Sequence, residues 1–166
     1  YRKVSGQFDR IYSVGMFEHV GKKFYNTFFR SMSSLLQNDG ILLLHTIGVV
    51  DAPSPPNKFI NKYIFPGGSC PSLSQIIKPI ENTGLIVSDT ETLIRHYDKT
   101  LESWLKRFMD KKEVVKDLFD EKFVKMWEFY LASCAAAFRY RDLVVFQLQI
   151  VKNFQSAHRT RDYIYL

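Results

Sequence analysis

The chain has 166 residues, 46% hydrophobic and 24% charged, a globular balance that excludes intrinsic disorder. No apolar run reaches the roughly 18–20 residues of a membrane-spanning helix, and no apolar leader follows Tyr1, so the chain reads as a piece of something longer. Its 23 Lys and Arg against 17 Asp and Glu leave a charge of +6, which favours an anionic partner, and its two cysteines, Cys70 and Cys134, suit a reducing compartment better than a disulfide framework.

Phe8–Val14 reads as a strand running into a turn at Gly15. A helix is predicted over Lys22–Gln37, with Phe24, Phe28, Met32 and Leu35 at helical spacing, and Asn38-Asp39-Gly40 is a turn signal that should stop it. Ile41–Ile47 is a near-continuous apolar run, as expected of a parallel strand buried on both faces. After the proline-rich loop 51–57 comes a short segment Lys58–Phe65, broken by Pro66-Gly67-Gly68. Ser72–Thr83 reads as a helix despite Pro79, and Leu85–Val87 as the start of another strand. Helical patterning resumes at Lys99, with a charged bend at Lys111-Lys112-Glu113. A long amphipathic helix then carries Phe123, Trp127, Tyr130, Leu131, Cys134 and Phe138 on one face. Leu143–Val151 closes the series as a strand. Strands alternating with helices make this an α/β chain with no internal repeat.

Open α/β sheets bind ligands beyond the carboxyl ends of their strands. Two polar groups fall there: Glu18 and His19 after the first strand, and His45-Thr46 at the end of the second. If the strands are neighbours, Glu18 and His45 can approach, to fix a tautomer, share a proton or hold a small ion. A capping Glu18 and a hydrogen-bonded core His45 are equally open readings of these residues. The histidines His19, His45, His96 and His158 lack the HExxH spacing of a metal site, and no GxGxxG or Walker loop occurs. Cys134 sits on an apolar helical face, where a cysteine is more often a small buried hydrophobe than a nucleophile. Lys22-Lys23 and Arg139 with Arg141 read as solvated surface, which leaves nucleic acid without a binding pattern.

The stretch Phe8-Asp9-Arg10-Ile11-Tyr12-Ser13-Val14-Gly15-Met16-Phe17-Glu18-His19-Val20-Gly21 resembles the signature of the cyclopropane-fatty-acyl-phospholipid synthase family, which includes the mycolic acid cyclopropane synthases. The likeness continues in family order through Leu43–Gly48, Asn61–Gly68, His96–Leu101 and Tyr130–Ala135, and on to Ala137-Phe138-Arg139. It implies an enzyme that transfers a methylene group from S-adenosylmethionine to the cis double bond of an unsaturated phospholipid acyl chain, closing a cyclopropane ring. It also implies a bound bicarbonate as base, held by the side chains of Glu18, His45 and Tyr97 and the backbone of Ile47. Glu18, His45, Tyr97 and Cys134 are then the candidate catalytic residues, Cys134 as a pocket-lining one, and Val14 and Gly15 lie beside the cofactor.

On this resemblance the fold is the carboxy-terminal half of a Rossmann-like S-adenosylmethionine-dependent methyltransferase. Residues 1–166 would form a partial catalytic domain that supplies strands 4 to 7 of a sheet ordered 3-2-1-4-5-7-6. The family's glycine-rich cofactor loop, its ribose-binding acid and a further bicarbonate-site cysteine have no counterpart here, so the amino-terminal half is expected to be absent and the piece inactive alone. Strand Phe8–Val14 would become a raw edge, open to a second copy in a homodimer. The implied location is cytoplasmic, peripheral at the inner membrane surface. The alternatives are a related methyltransferase with a small-amine or mycolate acceptor, and a non-catalytic lipid- or anion-binding module.

Overall fold

The computed structural model describes residues 1–140 and 142–165. Its strands are β1 (Phe8–Val14), β2 (Leu36–Val49), β3 (Ile86–Leu93) and β4 (Leu143–Val151). The helices are α1 (Tyr25–Leu35), α2 (Lys58–Tyr63), α3 (Leu73–Glu81), α4 (His96–Asp110), α5 (Lys112–Leu118) and α6 (Glu121–Tyr140). The strands form one sheet in the order β1-β2-β4-β3, with β1 parallel to β2 and β4 antiparallel to both its neighbours. This is the 4-5-7-6 order expected above. No helix among the described residues is long and apolar enough to cross a membrane.

Alternation along β2 and β4 builds two cores. Leu42 and Leu44 of β2 and Phe146 and Leu148 of β4 face α1 and α3, where Phe28, Phe29, Ile76 and Ile80 are fully buried. The opposite face, with Ile47 and Val145, meets α4 and α6 through Leu101, Leu131 and Phe138. Each such buried side chain contributes about 1.5–3 kcal/mol. Helices on both faces of a mixed sheet make the three-layer α/β architecture.

Four expectations need correction. The first helix ends at Leu35, and Asn38-Asp39-Gly40 continues as strand within β2. The turn signal loses to tertiary contacts. The β1–β2 register slips between Phe8/Leu36 and Arg10/Ile41 to absorb the extra residues. The Lys152 ammonium bonds the Leu36 carbonyl, while Asn153 and Ser156 donate to the Asn38 carbonyl. That helix also opens as a 3-10 turn, Lys22–Phe24, with α-geometry only from Tyr25.

Ile41–Ile47 is buried on one face only. Leu43 is 37% exposed, because α4 and α6 do not reach over the β1 side of the sheet, where Tyr12 and Val14 are exposed too. Finally, Arg139 is no solvated spectator: it pairs with Asp98 at 3.2 Å and with Glu102, tying α6 to α4. Arg141, the other member of that basic pair, lies outside the described residues.

Candidate active site

The carboxyl ends of the parallel pair β1 and β2 define the site. Gly15 follows β1 at φ +65°, a left-handed conformation that glycine adopts without a Cβ penalty. Its N–H donates to the His45 carbonyl at 3.1 Å, locking the two strand ends together. The chain then enters a 3-10 turn, Phe17–His19. Phe17 is fully buried and stacks on Tyr25 at 4.3 Å, which drives this turn into the core and carries Glu18 inward with it. The Glu18 carbonyl accepts from the Ser69 N–H at 2.9 Å, fastening the turn to the loop before α3.

Glu18 is the centre of the arrangement. It is 7% exposed. Its Oε1 accepts a 2.7 Å hydrogen bond from the Ile47 N–H, while Oε2 is buried with no partner among the described residues. A buried carboxylate oxygen with no donor is costly, on the order of 1–3 kcal/mol or more for a charged group. Such a site favours a ligand that brings a hydrogen-bond donor or a positive charge.

Tyr25, Cys70 and Tyr97 feel the charge of this carboxylate, and Cys134 and Tyr130 lie next to them. Burial, then the charges of Cys70 and Glu18, pushes the Tyr25 hydroxyl up to about 12. Burial first, then Glu18, Cys134 and Asp142, raises the Cys70 thiol to about 12. Tyr97, on the first turn of α4, is raised by burial and then by Glu18. Tyr130 goes to about 12 through burial, Cys134 and Tyr97. Cys134 goes to about 11, mainly by burial, with the Ser133 hydrogen bond opposing. All five stay protonated at neutral pH. They are donors for an anion, and a protonated Cys134 is a poor nucleophile.

The structure therefore joins Glu18 to Ile47 directly and sets Tyr97 within charge range of Glu18. His45 lies two residues before Ile47 on the same face of β2. Its ring is half-buried, and no hydrogen bond joins it to Glu18 among the described residues. Cys134 and Tyr97 belong to the same apolar layer as Ile47. Val14 is 59% exposed at the end of β1, beside Gly15. Of the Ile47 backbone, the N–H is engaged by the Glu18 carboxylate.

Sequence reasoning passed over Tyr25 and Cys70 as site residues. Tyr25 is not part of the stripe of Phe24, Phe28, Met32 and Leu35 read from helical spacing, and Cys70 sits in a loop whose path no periodicity reveals. It also passed over an aromatic pocket of about 450 Å³ lined by Phe65, Trp104, Arg107, Trp127, Tyr130 and Leu131. Its inner wall, Tyr130, reaches back to Tyr97 and Cys134. Phe65 links the pocket to the Glu18 turn, with its ring 6.0 Å from Tyr130 and 5.7 Å from His19. Among the described residues, no His, Cys, Asp and Glu group is placed to hold a metal ion.

Residues 1–148 match the family described as mycolic acid cyclopropane synthetase. The cyclopropane-fatty-acyl-phospholipid synthase of Escherichia coli (strain K12) is 41% identical over 159 residues, covering 96% of this chain and 41% of that protein. The tuberculostearic acid methyltransferase UfaA1 of Mycobacterium tuberculosis is 37% identical over 158 residues, covering 92% of this chain and 37% of its own length. The solved mycolic acid cyclopropane synthase CmaA1, in complex with SAH and CTAB, superposes with a TM-score of 0.82 at 32% identity, over 90% of this chain and 57% of that one. The chain thus spans less than half the length of the curated relatives it matches, and it has the fold of their methyltransferase sheet. It belongs to the mycolic acid cyclopropane synthetase family.

Proposed function

We propose that the chain serves S-adenosylmethionine-dependent methylene transfer to the cis double bond of an unsaturated phospholipid acyl chain, closing a cyclopropane ring. The observation that carries this reading is the buried Glu18, with one carboxylate oxygen unpartnered, next to an aromatic pocket large enough for an alkyl segment. The 41% identity to the E. coli synthase supports this chemistry.

Bound S-adenosylmethionine would supply an electrophilic methyl carbon, and bound bicarbonate would supply a base. The residues around Glu18 fit the anion. The unpartnered Glu18 Oε2 asks for a donor, which a bicarbonate hydroxyl offers, and Tyr97 and His45 can donate to its other oxygens. In the net reaction one CH₂ adds across the alkene, the sulfonium becomes a thioether and one proton is released.

Glu18 stabilises positive charge developing on the acyl chain from within a water-poor site. The ring faces of Tyr130, Trp127 and Phe65 favour the same cation without offering a nucleophile to trap it. Tyr97 and His45 orient the anion, Ile47 holds the Glu18 carboxylate through its amide, and Cys134 lines the pocket. Val14 and Gly15, at the open end of β1, lie beside the cofactor. The chain works at an anionic membrane surface on the cytoplasmic side, and the exposed β1 edge is open to a second copy. Residues 1–166 form part of a catalytic domain and do not turn over alone.

The test uses the longer protein that carries this chain, with S-adenosylmethionine and vesicles of unsaturated phospholipid. Gain of one CH₂ with loss of the double bond is expected; a methylated product that gains no ring refutes it. A second reading is methylation of a fatty acyl chain without ring closure, favoured by the identity to the tuberculostearic acid methyltransferase. A methyl-branched or exomethylene product, in which loss of a proton after methyl transfer leaves an alkene and no ring, identifies it.

A further inference from the structure

The aromatic pocket carries one feature that binding an alkyl chain does not require. Five of its six lining residues are Phe65, Trp104, Trp127, Tyr130 and Leu131; the sixth is Arg107. Tyr130 and Leu131 are 8% and 2% exposed, whereas Phe65 and Trp104 are 42% and 39% exposed, so the pocket has a dry inner end and an open mouth. Arg107 lies at the exposed end, on α4 one turn after Trp104. Its guanidinium has no ion pair or hydrogen bond among the described residues. The acids nearest in sequence do not answer it: Glu102 pairs with Arg139, and Asp110 forms no bridge to Arg107.

An unpaired guanidinium at the lip of an apolar slot matches a ligand with an anionic head and an apolar tail. We propose that Arg107 binds the phosphate of a phospholipid whose acyl chain lies among Phe65, Trp104, Trp127 and Tyr130. This rests on the lipid reading above and adds the group that recognises the headgroup. Guanidinium suits phosphate because its planar fork can donate two parallel hydrogen bonds.

The surroundings favour an anionic lipid over a neutral one. Phe59 of α2 packs against α6, with its ring 4.9 Å from Phe129 and 5.5 Å from Tyr63. The Lys62 ammonium sits 4.9 Å from the Tyr63 ring, and Lys62 and Lys122 together lower the Tyr63 hydroxyl pKa. Tyr63 and Phe129 are themselves 50% and 57% exposed. Exposed aromatics beside lysines are the pattern of a surface that meets lipid headgroups.

Trp104 and Trp127 are the chain's two tryptophans and both line the pocket, so intrinsic fluorescence reports its occupancy. The chain is titrated in neutral dodecyl maltoside micelles with oleoyl-lysophosphatidylglycerol or with monooleoylglycerol, which share the acyl chain and differ by the phosphoglycerol. The phospholipid should bind about tenfold more tightly or better. R107Q should bring it down to the level of monooleoylglycerol, and R107K should recover part of the difference. Arg107 is exposed and unpaired, so an unchanged melting curve checks that R107Q folds. Equal binding of the two lipids by the unaltered chain overturns the proposal, as does a preference that survives R107Q. Inorganic phosphate that competes at the affinity of the phospholipid also overturns it, because the site would then take free phosphate. No turnover enters the measurement, so this inference and the proposed reaction can fail separately.

Discussion

Glu18 is where function and stability should pull apart, and two substitutions separate them. Glu18→Gln keeps an Oε1 to accept from the Ile47 N–H and replaces the unpartnered Oε2 with a neutral amide nitrogen. Turning a charge-assisted hydrogen bond into a neutral one loses roughly 0.5–1 kcal/mol, while removing a desolvated, half-satisfied carboxylate returns roughly 1–3 kcal/mol. The net is a gain of about 1 kcal/mol. Glu18→Ala removes the acceptor altogether and leaves the Ile47 N–H without its partner, at a cost of about 1–3 kcal/mol. The expected order of stability is therefore Gln, then Glu, then Ala, read from urea denaturation midpoints at constant slope. Turnover of the longer protein should fall by at least a hundredfold in both variants. A Gln variant destabilised as much as the Ala variant would refute the reasoning, because Glu18 would then be a structural acceptor and not a charge held ready for a ligand. Raised stability with lost activity is the pattern of a residue kept for chemistry.

Three other outcomes can be measured directly. Gly48→Ala should cost about 2–3 kcal/mol, since the new Cβ would lie 2.3 Å from the Phe146 ring and 2.6 Å from the Pro71 carbonyl oxygen; a denaturation midpoint equal to that of the parent chain contradicts this. Tyr25, Cys70, Tyr130 and Cys134 all hold their protons more tightly folded than free, from ordinary values of 10.0 and 9.0 to between about 11 and about 12. Their contribution is complete below pH 9 and lost as pH climbs toward 12, so the melting temperature should fall steadily above pH 9, less steeply in Cys70→Ala. A flat alkaline profile would place these groups in water. Tyr97→Phe should leave the melting temperature within a few degrees of the parent while lowering turnover at least tenfold, because its hydroxyl makes no hydrogen bond among the described residues; unchanged turnover would remove Tyr97 from the site.

Periodicity located nearly every element, because strands and helices here carry clean apolar faces, as in α3 and the central part of β2. It failed where long-range contacts decided the backbone. Asn38-Asp39-Gly40 satisfies every local rule for a turn, yet donors from Lys152, Asn153 and Ser156, more than a hundred residues later, hold it as strand. The same limit applies to the site. Glu18 was visible because a strand end places it, and the motif around it names a family. Cys70 and Tyr25 became part of the site only through the path of a loop and the packing of Phe17. Arg107 was one cation among 23 until α4 and α6 met and left it alone in an apolar pocket.

The register of β2 explains why the site and the core do not compete for the same residues. Leu42, Leu44 and Thr46 point to the α1–α3 side and are fully buried there. Leu43, His45 and Ile47 point to the α4–α6 side, where the layer is thinner and partly open. A slip of one residue against β4 would bury His45 in the dry core and expose Leu44, so the pairs Leu44–Leu148 and Thr46–Phe146 that hold the register also hold the chemistry in place. Gly48 extends this logic to the end of the strand. With a side chain there, β2 could not pass close to Pro71, and the Val49 N–H would lose its 3.0 Å bond to the Pro71 carbonyl. The loop that carries Ser69 and Cys70 to the Glu18 turn would then be displaced with it. Substitutions at Gly48 should therefore damage ligand binding at Glu18 as well as stability, although Gly48 itself touches no ligand.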